Sequence, residues 1–162
     1  MTKNKFDIQD MTYLDKVSEF HEVFEHPILD TPQIPDAKRC GLRVNLITEE
    51  LQELREAILA NDIVAAADAF ADLQYVLSGA IIEFGLKDKF DALFAEVHRS
   101  NMSKACQTIE EAKETMFVYG GEGVESHYEE RHGLFFVYRT SDKKTLKSIK
   151  YLKADLKSII EK

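Results

Sequence analysis

Residues 63–84 read IVAAADAFADLQYVLSGAIIEF, and on a helix they are apolar on almost every side. Since a helix that is hydrophobic all round is normally buried, we expect this segment to be a central helix. Asp68 and Asp72 lie inside it, and burying carboxylates without partners is costly. The other cluster of acids close by in the sequence is Glu49, Glu50 and Glu53. Four or more carboxylates that converge between two helices predict a divalent metal site.

One helix is predicted at the start of the chain. Thr12 and Asp15 resemble a capping box, so this helix should begin near Thr12. Its expected apolar stripe is Tyr13, Val17, Phe20 and Phe24. All three prolines then fall between positions 27 and 35, which indicates an extended connector because proline disrupts a helix interior.

A second helix is expected from about 36 to 60, directly before the central one. Its predicted core stripe is Ile47, Leu51, Leu54 and Ile58. At 3.6 residues per turn, Glu50 and Glu53 fall on one flank of that stripe, whereas Glu49 points further toward solvent. Asp62 is suited to cap the central helix and Gly85 to end it.

The remaining sequence predicts one more core helix, followed by a short helix and a group of strands. The fourth helix should start at Asp88, with Phe90, Phe94 and Val97 facing the core. After position 105 we expect a short helix opened by Thr108, strands at 124–130, 134–140 and 145–150, and a helix at 153–161. The predicted fold is mainly α: a bundle of four to five helices (1–104) with a small C-terminal antiparallel β-meander and terminal helix (105–162).

Charge and composition limit the function classes. Residues 1–104 carry the whole net charge of -8, because residues 105–162 hold equal numbers of basic and acidic side chains. This charge argues against nucleic acid or an anionic membrane as the main partner. We see no apolar signal segment, and Cys40 and Cys106 have no metal-like spacing. A cytoplasmic protein with reduced thiols is expected.

The carboxylates allow two other interpretations. Runs such as 49–53 are common on solvated helix faces, and Asp68 and Asp72 could instead form buried salt bridges with Arg39, Arg43 or Arg55. If the site binds metal, hard oxygen ligands and the absence of a Cys/His cluster favour Mg²⁺, with Mn²⁺ as the alternative ion.

A basic segment, 98–104, stands out in the acidic half of the chain. Arg99, Asn101 and Lys104 could clamp phosphate groups, and Asn101 and Lys104 are spaced to face one way on a helix. The alternative is favourable positive charge at a helix C-terminus. His21 is a further candidate for substrate binding, although most histidines in such a position are structural.

Three motifs in order resemble a known superfamily. Glu49-Glu50-x-x-Glu53, followed by an acidic pair ending in Asp72-Leu73, resembles the MazG-like all-α nucleoside triphosphate pyrophosphohydrolases. Residues 96–104 are similar to the closing motif of its phosphoribosyl-ATP pyrophosphohydrolase branch. The resemblance covers residues 12–104. It departs from the family at Ala69, where an acid is usual, and Asp68 could substitute.

The resemblance implies a Mg²⁺-dependent enzyme that cleaves a nucleotide between its α and β phosphates, releasing a monophosphate and pyrophosphate. It implies that Glu50, Glu53 and Asp72 hold metal, and that Glu49 is a further ligand or orients the attacking water. Asn101 and Lys104 would contact the substrate phosphates. The implied assembly is a homodimer or homotetramer. The competing hypotheses are a non-catalytic nucleotide- or metal-binding oligomer, acting as sensor or scaffold, and a purely structural oligomer.

Overall fold

The computed structural model describes residues 11–162, and these are mainly helical. The elements follow in the order α1 (Tyr13–Val23), α2 (Ala37–Leu59), α3 (Ile63–Glu83), a 3₁₀ turn (Lys87–Lys89), α4 (Phe90–Met102), α5 (Ile109–Gly121), β1 (Ser126–Arg131), β2 (Leu134–Arg139) and α6 (Lys157–Ile160). The predicted mainly α fold with a small C-terminal antiparallel sheet is confirmed. The described chain divides into two compact units, one ending at Phe90 and one beginning at Asp91. The predicted domain boundary after residue 104 stays a prediction.

Local capping side chains fix where the first three helices begin. Thr12 and Asp15 form the predicted capping box, with the Asp15 carboxylate accepting from the Thr12 amide at 3.1 Å. Asp36 accepts from two amides of the first turn of α2. Asp62 does the same for α3, at 2.9 and 3.0 Å. These acceptors satisfy amides that a helix leaves unpaired at its N-terminus, so each start was readable from the sequence.

Gly85 ends α3 in a Schellman motif. Its φ is +67°, its amide bonds to Ile82 O, and the Leu86 amide bonds to Ile81 O. A Cβ at Gly85 would lie 2.0 Å from Thr31 O, because the proline-rich connector passes directly beside it. The connector also bonds to α3 through its backbone at Ile82 O and Phe84 O. Both the conformation and the space at position 85 therefore require glycine.

Alanines bring α2 and α3 together. The buried cluster between the two helices consists of Leu54, Ala57, Ala66 and Ala69, with Leu73 packed against it. The predicted α2 stripe is wrong at Leu51 and Ile58, which are 55% and 63% exposed. Small side chains on both helices allow close approach, so the contact centres on them and leaves the larger apolar residues at its edges.

The central helix is less buried than predicted. Within the single chain, α1 and α2 pack on α3, and Asp68 and Asp72 are exposed. Ile63, Val64 and Phe70 are exposed as well. The predicted burial of the two aspartates is therefore wrong for one chain, because two neighbouring helices cannot cover every side of α3. Tyr13 and Phe24 of the predicted α1 stripe are likewise exposed, while Val17 is buried.

The second unit contains α4 and a β-hairpin packed on α5. The strands β1 and β2 are antiparallel, and His132 and Gly133 form a two-residue turn with φ of 54° and 74°. Cys106, Ala112, Val137 and Leu146 form the core of this unit. The sheet has two strands: the predicted third strand, 145–150, contributes only a bridge between Thr145 and Tyr138. On α4 the buried residues are Leu93 and Ser100, whereas Phe94 and Val97 are exposed.

No single helix among residues 11–162 is both long and apolar enough to cross a membrane. The bent pair 63–83 and 87–102 passes the same test only when its two helices are counted together.

Candidate active site

Packing of α2 on α3 brings the two acidic clusters next to each other. The pKa of Glu50 is raised, first by its partial burial and then by repulsion from neighbouring carboxylates. In decreasing order of influence these neighbours are Glu53, Asp72, Glu49 and Asp68. Acids from both helices thus repel the charged form of Glu50.

These five acids have no internal counter-charge. Within residues 11–162, none of the five acidic side chains forms an ion pair with a lysine, arginine or histidine. In the same range, no three His, Cys, Asp or Glu residues are arranged so that they could hold a metal ion. The predicted ligands therefore approach one another without forming a closed coordination shell.

The burial of Ala69 accounts for the position of the neighbouring acid, Asp68. Ala69 is 2% exposed and belongs to the packed contact between α2 and α3. A carboxylate there would have to enter that contact. Asp68, one residue earlier, is exposed and still raises the pKa of Glu50, although its influence is the last of the four. Asp68 therefore acts on Glu50 together with Asp72, but with a smaller effect on its pKa.

The arginines proposed as partners of the aspartates bind another acid. Arg39 and Arg43 both donate to Glu83, whose side chain is 1% exposed. The Nε of Arg39 lies 3.1 Å from the second oxygen of Glu83. The alternative in which Asp68 or Asp72 pairs with Arg39 or Arg43 is therefore wrong. Sequence reasoning missed Glu83 because it ends an apolar helix and carried no motif.

His21 extends this network and is itself buried, at 1% exposure. Its Nδ1 lies 2.9 Å from Pro27 O, which can only accept, and its Nε2 lies 3.2 Å from Arg43 Nη2, which can only donate. Nδ1 must therefore carry the proton, and the ring is neutral. Burial lowers the pKa of His21, in agreement with that state. Its contacts are those of a structural residue, although its ring also borders a cavity.

That cavity, of about 230 Å³, lies in the first unit between α1, α2 and α3. Its lining includes Phe20, His26, Leu46, Tyr75 and Val76. The rings of Phe20 and Tyr75 meet edge to face at 5.6 Å, and His26 stacks on Phe20 at the same distance. Leu46 lies one helical turn from Glu50 on α2, and Val76 lies one turn from Asp72 on α3. These two lining residues are therefore roughly 6 Å along their helices from the acids.

A buried donor borders the same cavity without a partner. Arg43 contributes to the lining and is 8% exposed. Its Nε has no hydrogen-bond partner among the described residues. Buried donors are normally satisfied, so Arg43 Nε is an exception among the polar atoms of this network.

The basic segment 98–104 lies in the second unit. Arg99 is held by two 2.7 Å bonds to Glu96, whose carboxylate also accepts from the Asp155 amide. The bond with Arg99 and, to a smaller extent, the bond with the Asp155 amide lower the pKa of Glu96 to about 2. Lys104 instead donates to the neutral side chain of Asn101 at 2.7 Å. Of the two predicted cationic side chains, Lys104 alone keeps an uncompensated charge within residues 11–162.

Comparison with protein families identifies the central part of the chain. A family model described as phosphoribosyl-ATP pyrophosphohydrolase matches residues 17–101, slightly more than half of the chain. The matched range contains α2, α3 and most of the basic segment, and ends before the hairpin. No curated protein matches the chain.

Proposed function

Because the chain belongs to the phosphoribosyl-ATP pyrophosphohydrolase family, we propose that it is a Mg²⁺-dependent nucleotide pyrophosphohydrolase. Its substrate is a nucleoside triphosphate, deoxynucleoside triphosphate or related nucleotide, which it cleaves between the α and β phosphates. The products are a nucleoside monophosphate and pyrophosphate. The observation that carries this proposal is the group of five acids on α2 and α3, which has no basic partner among the described residues: burial raises the pKa of Glu50, and the four other acids raise it further.

The donor chemistry of this group fits a hard divalent cation. Mutual repulsion among carboxylates is relieved when a cation lies between them, and carboxylate oxygens are the ligands that Mg²⁺ prefers. Glu50, Glu53, Asp68 and Asp72 would hold it. When bound, Mg²⁺ or Mn²⁺ makes a coordinated water more acidic and offsets charge on the phosphoryl oxygens.

The remaining residues have roles that do not require the ion. Glu49 is exposed beside Glu50 and can accept a hydrogen bond from the attacking water, which orients that water. Asn101 and Lys104 contact the substrate phosphates through an amide and an ammonium group. Arg99 acts less directly, because its guanidinium is bound to Glu96.

The aromatic cavity beside the acids is the proposed site for the base or sugar. Phe20 and Tyr75 offer ring faces and edges for a planar base. His21 borders the cavity and contributes to its shape while staying neutral.

A homodimer or homotetramer is the proposed assembly. In the single chain, apolar side chains on α2 and α3 are left exposed, including Val44, Ile58, Ile63, Val64 and Phe70. Exposed apolar surface of this kind is typical of an interface between subunits. Light scattering over a concentration series that gave the monomer mass throughout would contradict this assembly.

The test of the reaction is product analysis on a panel of canonical and modified nucleoside triphosphates and phosphoribosyl-ATP. Each is incubated with Mg²⁺, and pyrophosphate is measured separately from orthophosphate. We expect pyrophosphate and a monophosphate in equal amounts. Orthophosphate and a diphosphate would instead indicate cleavage at the terminal phosphate and would exclude the proposed reaction.

A non-catalytic sensor is the second candidate, favoured by Ala69, which replaces the usual acid with a core residue. The same panel separates the two candidates. Nucleotide that raises the melting temperature but is not hydrolysed at saturating Mg²⁺ would support the sensor, since a ligand at 100 times its Kd stabilises the native state by about 2.7 kcal/mol.

A further inference from the structure

The cavity between α1, α2 and α3 combines an aromatic surface with two guanidinium groups. Arg39 and Arg43 are both lining residues, and none of the lining residues among 11–162 carries a carboxylate. In such a cavity a few polar groups fix which ligand is accepted. The donors and acceptors of this lining therefore decide which groups a base can present to it.

The carboxylate that accompanies the two arginines does not reach the cavity. Glu83 is 1% exposed and is absent from the lining. Its Oε2 accepts from Arg39 Nε at 3.1 Å, and its Oε1 accepts from Nη2 of both arginines. Among residues 11–162, Arg39 Nη1 has no hydrogen-bond partner. Because the Arg39 side chain is 24% exposed, this nitrogen is a donor that a ligand can use.

His21 offers the cavity no acceptor. Its protonated Nδ1 donates to Pro27 O at 2.9 Å, and its Nε2 accepts from Arg43 Nη2 at 3.2 Å. A neutral imidazole has one donor and one acceptor, so both nitrogens of His21 are already in use. The network formed by Glu83, Arg43 and His21 thus consumes its own acceptors.

Two other polar side chains line the cavity without discriminating between bases. The His26 ring and the Tyr75 hydroxyl can each donate or accept a hydrogen bond. A guanidinium, by contrast, only donates and keeps its charge at every physiological pH. Arg39 and Arg43 are therefore the lining groups that can distinguish one base from another.

The bases differ in what they present to such a donor. Uracil and hypoxanthine have a carbonyl oxygen at the position where cytosine and adenine have an amino group. A carbonyl oxygen accepts from a guanidinium, and hydrogen bonds to a charged group are stronger than those between neutral groups. An amino group would instead bring one donor against another and leave the guanidinium without an acceptor, which costs binding free energy.

We propose that Arg39, supported by Arg43, makes this chain selective for nucleotides whose base presents a carbonyl oxygen to this cavity. Uracil and hypoxanthine are examples of the preferred bases, and cytosine and adenine of the disfavoured ones. The inference rests on the proposed function, which places the base or sugar in this cavity, and adds the class of base. Arg39 is a specificity residue: it contacts the base and takes no part in bond cleavage.

Two pairs of nucleotides test this inference, because the members of each pair differ only in one exocyclic group and the ring nitrogen beside it. The pairs are the α,β-methylene analogues of UTP and CTP and those of ITP and ATP, which cannot be cleaved between the α and β phosphates. Their dissociation constants are measured by titration calorimetry with Mg²⁺. The wild type should bind the uridine and inosine analogues roughly 10- to 100-fold more tightly than the cytidine and adenosine analogues.

A matched pair of variants assigns the selectivity to one side chain. Arg39→Met removes the donor, while Glu83 keeps Arg43 as a partner. Lys38→Met is the control, because Lys38 is the exposed neighbour of Arg39 on α2 and does not line the cavity. The two affinity ratios should fall to within about threefold of unity in Arg39→Met and stay at the wild-type values in Lys38→Met. Arg39→Met that weakened all four analogues equally would show a purely structural role and overturn the assignment.

The failures of the two proposals are distinguishable. Wild-type protein that bound the members of each pair equally, preferred the cytidine and adenosine analogues, or bound none of the four would overturn the selectivity. The reaction would still be decided by product analysis. The expected ratios without hydrolysis of any nucleotide would support the selectivity and count against the reaction. If Arg39→Met did not fold, the ratios of the wild type would still decide the class of base.

Discussion

Arg43 on α2 and Glu83 on α3 form an ion pair in which both side chains are buried, at 9% and 1% exposure. Arg39 binds the same carboxylate, and Arg43 also contacts His21. The network joins the three helices that surround the aromatic cavity. Arg43 lies about two turns from Glu50 on α2. Because the network holds α2 against α3, it also helps to keep the acids of the two helices in position.

Removing the acid from this network should destabilise the protein strongly. Glu83→Gln leaves two guanidinium groups without a carboxylate, and breaking a buried pair costs about 3–5 kcal/mol. Urea unfolding should show this loss. Glu56→Gln, an exposed change on α2, is the control and should stay within about 0.5 kcal/mol of the wild type. A loss below 1 kcal/mol in Glu83→Gln would show that the pair contributes little.

The free energy of unfolding should fall on mild acidification because of His21. Burial lowers the pKa of His21 in the folded protein, so below about pH 6.5 the unfolded state binds more protons than the native state. Stability should thus decrease from about pH 6.5 downward, until the folded pKa is passed. Arg43, Glu83 and His26 are the charged or titratable groups that act on the ring.

His21→Gln tests this assignment, because glutamine can accept from Arg43 but does not titrate. Urea unfolding at pH 7.5, 6.0 and 5.0 should give a flatter dependence for the variant than for the wild type. Equal slopes for the two proteins would assign the effect to other groups. Glu83 acts in a separate range: its pKa is lowered by Arg43 and Arg39 against its burial, so its contribution is lost below about pH 4.5.

Substituting alanine for two glycines, Gly79 and Gly41, should change the free energy of unfolding in opposite directions. A Cβ at Gly79 would lie 2.6 Å from Arg43 Nη1 and 3.2 Å from His21 Nε2, whereas nothing lies within 4 Å of one at Gly41. Gly79→Ala should cost about 1–3 kcal/mol through overpacking. Gly41→Ala should stabilise α2 by about 0.5–1 kcal/mol. Thermal unfolding of both variants checks the pair, and equal shifts would contradict it.

How far the sequence predicts this fold depends on whether a feature is local. Thr12, Asp62 and Gly85 act within a few residues of a helix end, so their roles could be read directly. The Arg43–Glu83 pair joins residues 40 apart, and neither belongs to a recognisable motif. Tertiary packing decides such pairs, and one sequence contains no direct signal for them.

The candidate site was predictable in part for the same reason. Helical spacing placed Glu50 and Glu53 on one flank of α2, and the structure places Asp72 close to Glu50. Periodicity failed where burial depends on the number of neighbours: Leu51, Asp68 and Asp72 are exposed because a single chain covers only part of α2 and α3. The aromatic cavity combines three helices and could not be read from any one of them.

Loss of one carboxylate on α2 should remove activity. Glu53→Gln keeps the size of the side chain but removes a charge that acts on Glu50. If Glu53 holds metal, kcat/KM should fall about 100-fold or more, since the ion supplies several kcal/mol to the transition state. Glu56→Gln is the matched control one turn away on α2, where Glu56 accepts from Gln52. Equal activity of the two variants would exclude Glu53 from the site.

The two aspartates of α3 should contribute unequally. Asp72 has a larger influence than Asp68 on the pKa of Glu50, so we expect a cation beside Glu50 to interact more strongly with Asp72. Asp72→Asn should therefore lower the pKa of Glu50 more than Asp68→Asn does, and it should weaken Mg²⁺ binding more, by about tenfold or more. Titration calorimetry with Mg²⁺ and NMR titration of the Glu50 carboxyl measure the two effects.

Asp62→Asn is the control for this pair, because asparagine caps a helix as well as aspartate does and position 62 lies at the start of α3. It should leave Mg²⁺ affinity unchanged. If Asp68→Asn weakened binding more than Asp72→Asn, the ion would lie nearer the start of α3 than proposed. In that case Asp68 would have replaced the family's acid at position 69 as the principal ligand, and Ala69 would mark a relocated site.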